Sequence, residues 1–349
     1  MPETSPAPGR PRWAPDITVD APLAARVIAE QFHELAGLPV VQIGAGWDNA
    51  VFSVGQDWVF RFIYRQTAVE GSAAEVAVLR ALPQDLPLPV PQPLFIGTPT
   101  DELPWPFWGG PLLPGVEIAE AGVPDDARGA VADAVGRFLR RLHDPELARA
   151  TTTATRAAGV ELRVDPWSRA TPREIAPRAR ETLGRLSALG AWAPDPKVLA
   201  LLDRAESVGP PSAEPVLVHG DLHIRHVLIA DGRTAPRASG VIDWGDTGLG
   251  DPAMDLAIGF MAFTGPARRA FLDAYGPADD ERLLRARTLA VHLSAALAEQ
   301  AVGDGMANVT TESLSALGRT AHQTPAAGSS PVVVSRGACR RPRPPGARA

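Results

Sequence analysis

At 349 residues, with 45% apolar and 21% charged side chains, the chain has the makeup of one large or two modest globular domains, not of a disordered or membrane-spanning protein. A formal net charge of −6 argues against a nucleic-acid partner, which needs a concentrated basic surface, and directs attention to small substrates. The lone Cys339 forbids an intrachain disulfide and suits a reducing cytoplasm, and no apolar run reaches the length that spans a membrane.

The start, rich in proline and small residues and without the apolar core of a signal peptide, reads as a disordered leader over 1–19. Asp20 can cap a helix over 22–36, with Gly37 as its stop. Short apolar runs at 40–43, 50–54 and 58–63, broken by Gly44, Gly46 and Gly55, predict an antiparallel meander. A helix over 69–82 follows, then strands at 94–96 and 107–113, so residues 20–113 form a sheet-bearing N-terminal lobe. Beyond Pro114 and Gly115 the pattern turns helical. In 125–143, Val131, Val135, Phe138, Leu139 and Leu142 make one apolar stripe, and further helices are expected at 173–189, 196–208, 253–263, 267–275 and 280–301. Within this lobe, 114–319, only 215–243 has strand character. Residues 320–349, with arginines among prolines, read as a disordered tail.

The chemistry concentrates in 218–244. A run at 227–230, a turn at Asp231 and Gly232, and a second run ending at Ile242 would form a hairpin-like pair that makes His226 and Asp243 neighbours, with Asp221 in the loop just before it. Phosphoryl transfer needs such an arrangement: one carboxylate to orient a hydroxyl and accept its proton, another to hold a cation that neutralises phosphate charge.

The spacing of His219, Asp221 and His226 resembles the catalytic loop shared by protein kinases and the aminoglycoside/macrolide phosphotransferase family, in which histidine, any residue and aspartate are followed after four residues by asparagine. The resemblance implies an α+β, bilobal protein-kinase-like fold with a small antiparallel-sheet N-lobe and a larger, mostly helical C-lobe. It implies Asp221 as catalytic base, His219 as support of its loop, and Asp243 as a ligand of Mg2+. His226 stands where asparagine is usual, as it does in macrolide phosphotransferases, and is the second candidate metal ligand. Upstream, Gly44 and Gly46 match a phosphate-covering turn, Arg61 the phosphate-pairing cation, Glu75 its helical partner, and Leu113 the hinge that meets the nucleotide base. Arginine in the cation's place accords with Lys197 being the only lysine. Gly250, Asp251, Pro252 and Asp255 match a downstream motif whose aspartates are read as structural, Asp251 as a cap at Pro252. His223, Trp244 and Asp246 border the site as supporting groups.

The implied reaction transfers the γ-phosphoryl group of ATP or GTP to a hydroxyl of an aminoglycoside- or macrolide-type antibiotic. A cationic acceptor would call for carboxylates, for which Glu117, Asp165 and Glu299 are candidates. Three other readings stand beside it: a metabolic sugar or amino-alcohol kinase of the same fold, a silent nucleotide-binding protein, and a zinc metallohydrolase using His219, His223 and His226.

Overall fold

In the computed structural model, which describes residues 15–46, 48–230 and 235–321, the chain enters the fold before Asp20. The amides of Asp16 and Ile17 both donate to the Tyr64 carbonyl and Val19 is buried, so part of the expected leader belongs to the fold. Asp20 caps α1 (Ala21–Gln31) by accepting from the Leu23 amide at 2.9 Å. The helix stops five residues short of the expected end, because Phe32 leaves helical geometry and turns its ring toward Phe60, Phe95 and Phe107. A short 3-10 turn, His33–Leu35, then carries the chain to the sheet.

The meander forms as β1 (Val40–Ala45), β2 (Asn49–Val54) and β3 (Trp58–Ile63), each antiparallel to the next. After α2 (Val69–Ala81), β4 (Phe95–Gly97) and β5 (Phe107–Pro111) complete a five-stranded sheet of order β1-β2-β3-β5-β4. Alternation along β3 sorts its side chains. Phe60 and Phe62 bury against α1 with Phe52 and Phe107, while Arg61 points to the opposite face. There α2 carries Val78, Leu79 and Leu82 into the larger core with Trp108.

The chain leaves this sheet at Pro111, and β6 (Val116–Glu117) already pairs with a strand of the second half. Next come α3 (Ile118–Ala121), α4 (Gly129–Leu142), α5 (Pro145–Ala157), α6 (Pro172–Ala188) and α7 (Pro196–Ala205). The stripe expected on α4 is fully buried. Two small sheets follow, β7 (Val216–Val218) with β10 (Gly248–Gly250), and β8 (Val227–Ala230) with β9 (Arg237–Val241) and β6. The predicted pairing of the 227–230 run is present, with Val227 opposite Val241, and the turn expected at Asp231 and Gly232 lies outside the described residues. The strand at β10 corrects the expectation that strand character ends at 243.

The last helices are α8 (Ala253–Leu256), α9 (Ile258–Ala262), α10 (Gly265–Tyr275), α11 (Asp280–Asp304) and α12 (Ala307–Ala321). Sequence periodicity missed α5 and α12. α12 runs to Ala321, buried with Thr320, so the expected tail begins no earlier than residue 322; the rest of it lies outside the described residues. α12 is fastened by Arg319, which pairs with Asp125 at 2.7 Å and Glu312 at 2.9 Å, and by Arg128, which reaches Glu312 at 2.6 Å.

α4 crosses α10 closely. A Cβ on Gly136 would strike the Phe271 carbonyl and the Ala274 methyl. Gly136→Ala should therefore lower the unfolding free energy by about 2 kcal/mol through overpacking, despite alanine's better helix propensity. An unchanged urea midpoint would show that the crossing has slack.

Candidate active site

The 218–226 loop is built on hydrogen bonds that leave few side chains free to choose their roles. The backbone amides of His219 and Gly220 donate to the two oxygens of Asp255, at 2.8 and 2.9 Å. One of these oxygens also meets His143 Nε2 at 3.0 Å, and His143 Nδ1 lies 3.1 Å from the Tyr275 hydroxyl. Gly220 has φ +89, and a Cβ there would strike the Asp246 carbonyl, so glycine is required on both counts.

His219 is fully buried, and both ring nitrogens are spent on the backbone. Nε2 faces the Ile242 carbonyl at 2.9 Å and must carry the proton, since a carbonyl only accepts; Nδ1 then accepts from the Asp221 amide at 3.3 Å. Burial lowers its pKa, so the ring stays neutral. It ties the loop to the segment leading to Asp243. Because both nitrogens are occupied, His219 cannot join His223 and His226 in a three-histidine zinc site.

His226 links the backbone of Asp221 to the carboxylate of Asp243. Its Nδ1 lies 2.8 Å from the Asp221 carbonyl and must carry a proton, so in the neutral ring the lone pair sits on Nε2, 3.5 Å from Asp243 Oδ2. His223, buried, stacks on His226 at 3.7 Å with its Nε2 3.6 Å from Asp221 Oδ2. Burial, then the neighbouring His226, hold the His223 pKa well below its ordinary value.

Asp243, with φ +63, lies two residues past the end of β9. Arg61 donates to its Oδ1 at 2.7 Å and lies 3.6 Å from Glu75, so its nearer partner is Asp243 and not the expected Glu75. Burial works against the guanidinium's charge, yet the two carboxylates outweigh it and raise its pKa. For Asp243, burial alone would raise the pKa, but Arg61 and then His226 override it and hold the carboxyl well below the usual range. Glu75 goes the other way, raised because burial outweighs Arg61. It accepts from the Trp108 indole at 3.3 Å and the Trp244 amide at 3.2 Å, so α2 grips the residue after Asp243. Trp244 is buried as a support, its indole donating to the Val241 carbonyl.

The remaining predicted residues fall around this centre. Leu113 packs over Gly240, three residues before Asp243, where a Cβ would come within 2.9 Å of it. Gly44 lies near the end of β1 and Gly46 in the β1–β2 turn, where its N–H donates to Asn49 O at 2.9 Å; Trp47 lies outside the described residues. Neither glycine has positive φ, and a Cβ on either would meet nothing closer than 3.8 Å. Asp251 does bond the Ala253 amide, at 2.8 Å, and also faces Arg282 at 3.3 Å.

Sequence reasoning missed Arg169. It donates to the Gly220 carbonyl at 2.8 Å, pairs with Asp246 at 2.7 Å and lies 3.4 Å from Asp221 Oδ1. Its approach depends on Asp165, whose carboxylate takes the amides of Arg169 and Ala170 at 2.7 and 2.9 Å. The other candidate carboxylates are also engaged: Glu117 by Arg225 at 2.8 Å and Glu299 by Arg185 at 2.5 Å.

Residues 39–289 match the sequence profile of the phosphotransferase enzyme family. The chain is 34% identical over 209 residues to viomycin phosphotransferase of Streptomyces vinaceus, covering 58% of this chain and 67% of that protein. In fold it is similar to the GDP complex of wild-type aminoglycoside 2'-phosphotransferase-IIIa, with a TM-score of 0.60 at 21% identity over 87% of this chain and 99% of the other. It is also similar to the apoenzyme of a macrolide 2'-phosphotransferase from Brachybacterium faecium, with a TM-score of 0.50 at 25% identity over 85% and 97%. Among the described residues no helix is long and apolar enough to cross a membrane.

Asp255→Ala should cost about 3 kcal/mol, since it strands two buried amides and an imidazole. Burial would raise the Asp255 pKa, but the hydrogen bond and charge of His143 lead the groups that pull it below the ordinary value. Its stabilising contribution is thus complete above the unfolded-state pKa, about 3.9, and fades as pH falls through the lower folded value. Urea titrations of both proteins should show a wide gap at neutral pH that narrows in acid; a gap that widens would reverse the assigned sign.

Proposed function

Because the chain belongs to the phosphotransferase enzyme family, we propose that it transfers the γ-phosphoryl group of ATP or GTP to a hydroxyl of an antibiotic of the kinds its relatives are named for: viomycin, an aminoglycoside or a macrolide. The observation that carries the reading is His226, which bonds the backbone of Asp221 through one nitrogen and faces Asp243 with the other. One side chain thereby fixes the spacing of a proton acceptor and a cation ligand.

Asp221 is the base. As the acceptor oxygen bonds to the γ-phosphorus and the bond to the nucleoside diphosphate breaks, the acceptor proton passes to its carboxylate. Arg169 and His223 flank the two carboxylate oxygens and set their direction. His219 holds the loop without touching substrate.

The donor set fits a divalent cation: Asp243 is ionised, and the free Nε2 of His226 lies beside it. Asp243 and His226 would hold Mg2+, which when bound supplies charge neutralisation to the nucleotide phosphates. Arg61 supplies the phosphate-facing cation and Glu75 anchors it. Neither backbone conformation nor packing calls for glycine at 44 and 46, which supports a use in keeping the turn clear of side chains where phosphates approach. Leu113 and its neighbours offer backbone groups to the base.

The engagement of Glu117, Asp165 and Glu299 favours one further possibility, an acceptor of low positive charge such as a simple sugar or amino alcohol. A mass-shift assay with labelled nucleotide against aminoglycosides, macrolides, viomycin and simple amino sugars separates the two.

Asp221→Asn should reduce kcat by a factor of about 100 or more with nucleotide affinity nearly unchanged. Turnover near the wild-type rate would remove Asp221 as the base. Asp243→Ala should weaken Mg2+-dependent nucleotide binding at least tenfold, read by titration calorimetry with and without the cation. Equal affinities in both proteins would release Asp243 from the metal site.

A further inference from the structure

Phosphoryl transfer with Mg2+ leaves one feature of the loop unused. Asp221, His223 and His226 each offer a donor atom, and these three atoms all lie within 4.8 Å of one another. Mg2+ prefers an all-oxygen shell and has little use for a second imidazole, whereas two ring nitrogens with carboxylates are a donor set for a borderline cation such as Zn2+. We propose that this chain binds Zn2+ through Asp221, His223 and His226, and that the bound ion shuts the enzyme off by taking the base as a ligand.

His226 is prepared for this role. Its Nδ1–H donates to the Asp221 carbonyl at 2.8 Å, the support that metal-binding imidazoles commonly have, and its Nε2 lone pair is free. His223 is buried against it, the two rings stacked at 3.7 Å and tilted by 30°, which brings both imidazoles to one side of the loop. Coordination through His223 Nε2 places its proton on Nδ1 and gives up only the long 3.3 Å contact from the Arg225 amide. Zinc bonds of about 2.0 Å set tetrahedral donors about 3.3 Å apart. The His223–Asp221 separation, 3.6 Å, is already close to that. The three donor atoms, all within 4.8 Å of one another, reach that spacing with at most about 1.5 Å of relative side-chain movement.

Zn2+ and Mg2+ then compete for His226, and Zn2+ alone also takes Asp221 and His223. Zinc binding is independent of the acceptor. Its inhibitory consequence rests on the reading of Asp221 as base.

The test is equilibrium dialysis of the full chain, stripped with EDTA, against Zn2+ without nucleotide or acceptor. One ion per chain at micromolar or tighter affinity is expected. His223→Phe, which keeps the stacked ring and removes both nitrogens, and His226→Asn should each weaken binding about tenfold or more. His223→Asn is the second variant should phenylalanine misfold by circular dichroism. Cys339→Ser should bind zinc as the wild type does. No saturable zinc in the wild type, or full affinity in both His223 variants, overturns the site. Saturating Zn2+ should also displace Mg2+-nucleotide and abolish acceptor phosphorylation, with recovery on adding EDTA and then excess Mg2+. Stoichiometric zinc with undiminished nucleotide binding and turnover would overturn the inhibition. If no acceptor is phosphorylated at all, the kinase reading fails, while dialysis and nucleotide displacement still decide the zinc site.

Discussion

One buried carboxylate holds the reactive loop in shape. Asp255 receives the amides of His219 and Gly220 on its two oxygens and shares one of them with His143. Burying an ionised carboxylate costs several kcal/mol unless its lone pairs are met, and here they are met by the groups whose positions matter. The loop therefore bends at Gly220, where only glycine clears Asp246, and presents Asp221 outward with its amide and carbonyl both tied to histidines. His219 then passes the constraint to the Ile242 carbonyl, one residue before Asp243. The two carboxylates assigned to proton and metal are held at one separation by rings and backbone, not by direct contact.

The sheet-bearing half reaches this centre through a second buried acid. Glu75 and Asp243 share Arg61, and their environments push them apart: the one deep beneath Trp108 has its pKa raised, while the one beside His226 has it lowered. Arg61 thus neutralises a charge that stays put at Asp243 and is steered by one that Glu75 carries at greater cost. Glu75 also takes the Trp244 amide, so a shift of α2 would move the backbone next to Asp243. Position of the helix and geometry of the proposed metal ligand are thereby coupled.

What the sequence makes legible is what lies close together along it. The 218–226 loop and the β8–β9 pair occupy one short stretch, so alternation and spacing alone bring His226 to Asp243. Alternation on β3 likewise puts Arg61 opposite its phenylalanine neighbours. The partner of Arg61 was harder, since the distances to Asp243 and Glu75 depend on how the halves sit. Arg169 carried no local signal: it bonds the Gly220 carbonyl 51 residues away, delivered by a loop with positive φ at Asp165 and Ser168. α5 and α12 escaped notice because threonine, serine and glycine dilute their helical pattern. Asp144 before Pro145 was a readable start signal for α5. α12 rests on Arg128 and Arg319, whose acidic partners include one 194 residues away. Helix 22–36 was overextended because apolar periodicity cannot show that Phe32 belongs to the sheet core.

Histidine at 226 instead of asparagine also has a physical reading. An asparagine in this place would offer an amide N–H to the Asp221 carbonyl and an amide oxygen to a cation. His226 offers Nδ1–H to the same carbonyl and Nε2 toward the same carboxylate, so the donor and acceptor pattern survives the exchange. What changes is the character of the ligand, from a hard oxygen to a borderline nitrogen. The loop then holds two stacked imidazoles, and the spacing that brings the proposed base and metal ligand together is the same spacing that gathers a nitrogen-rich donor set around Asp221.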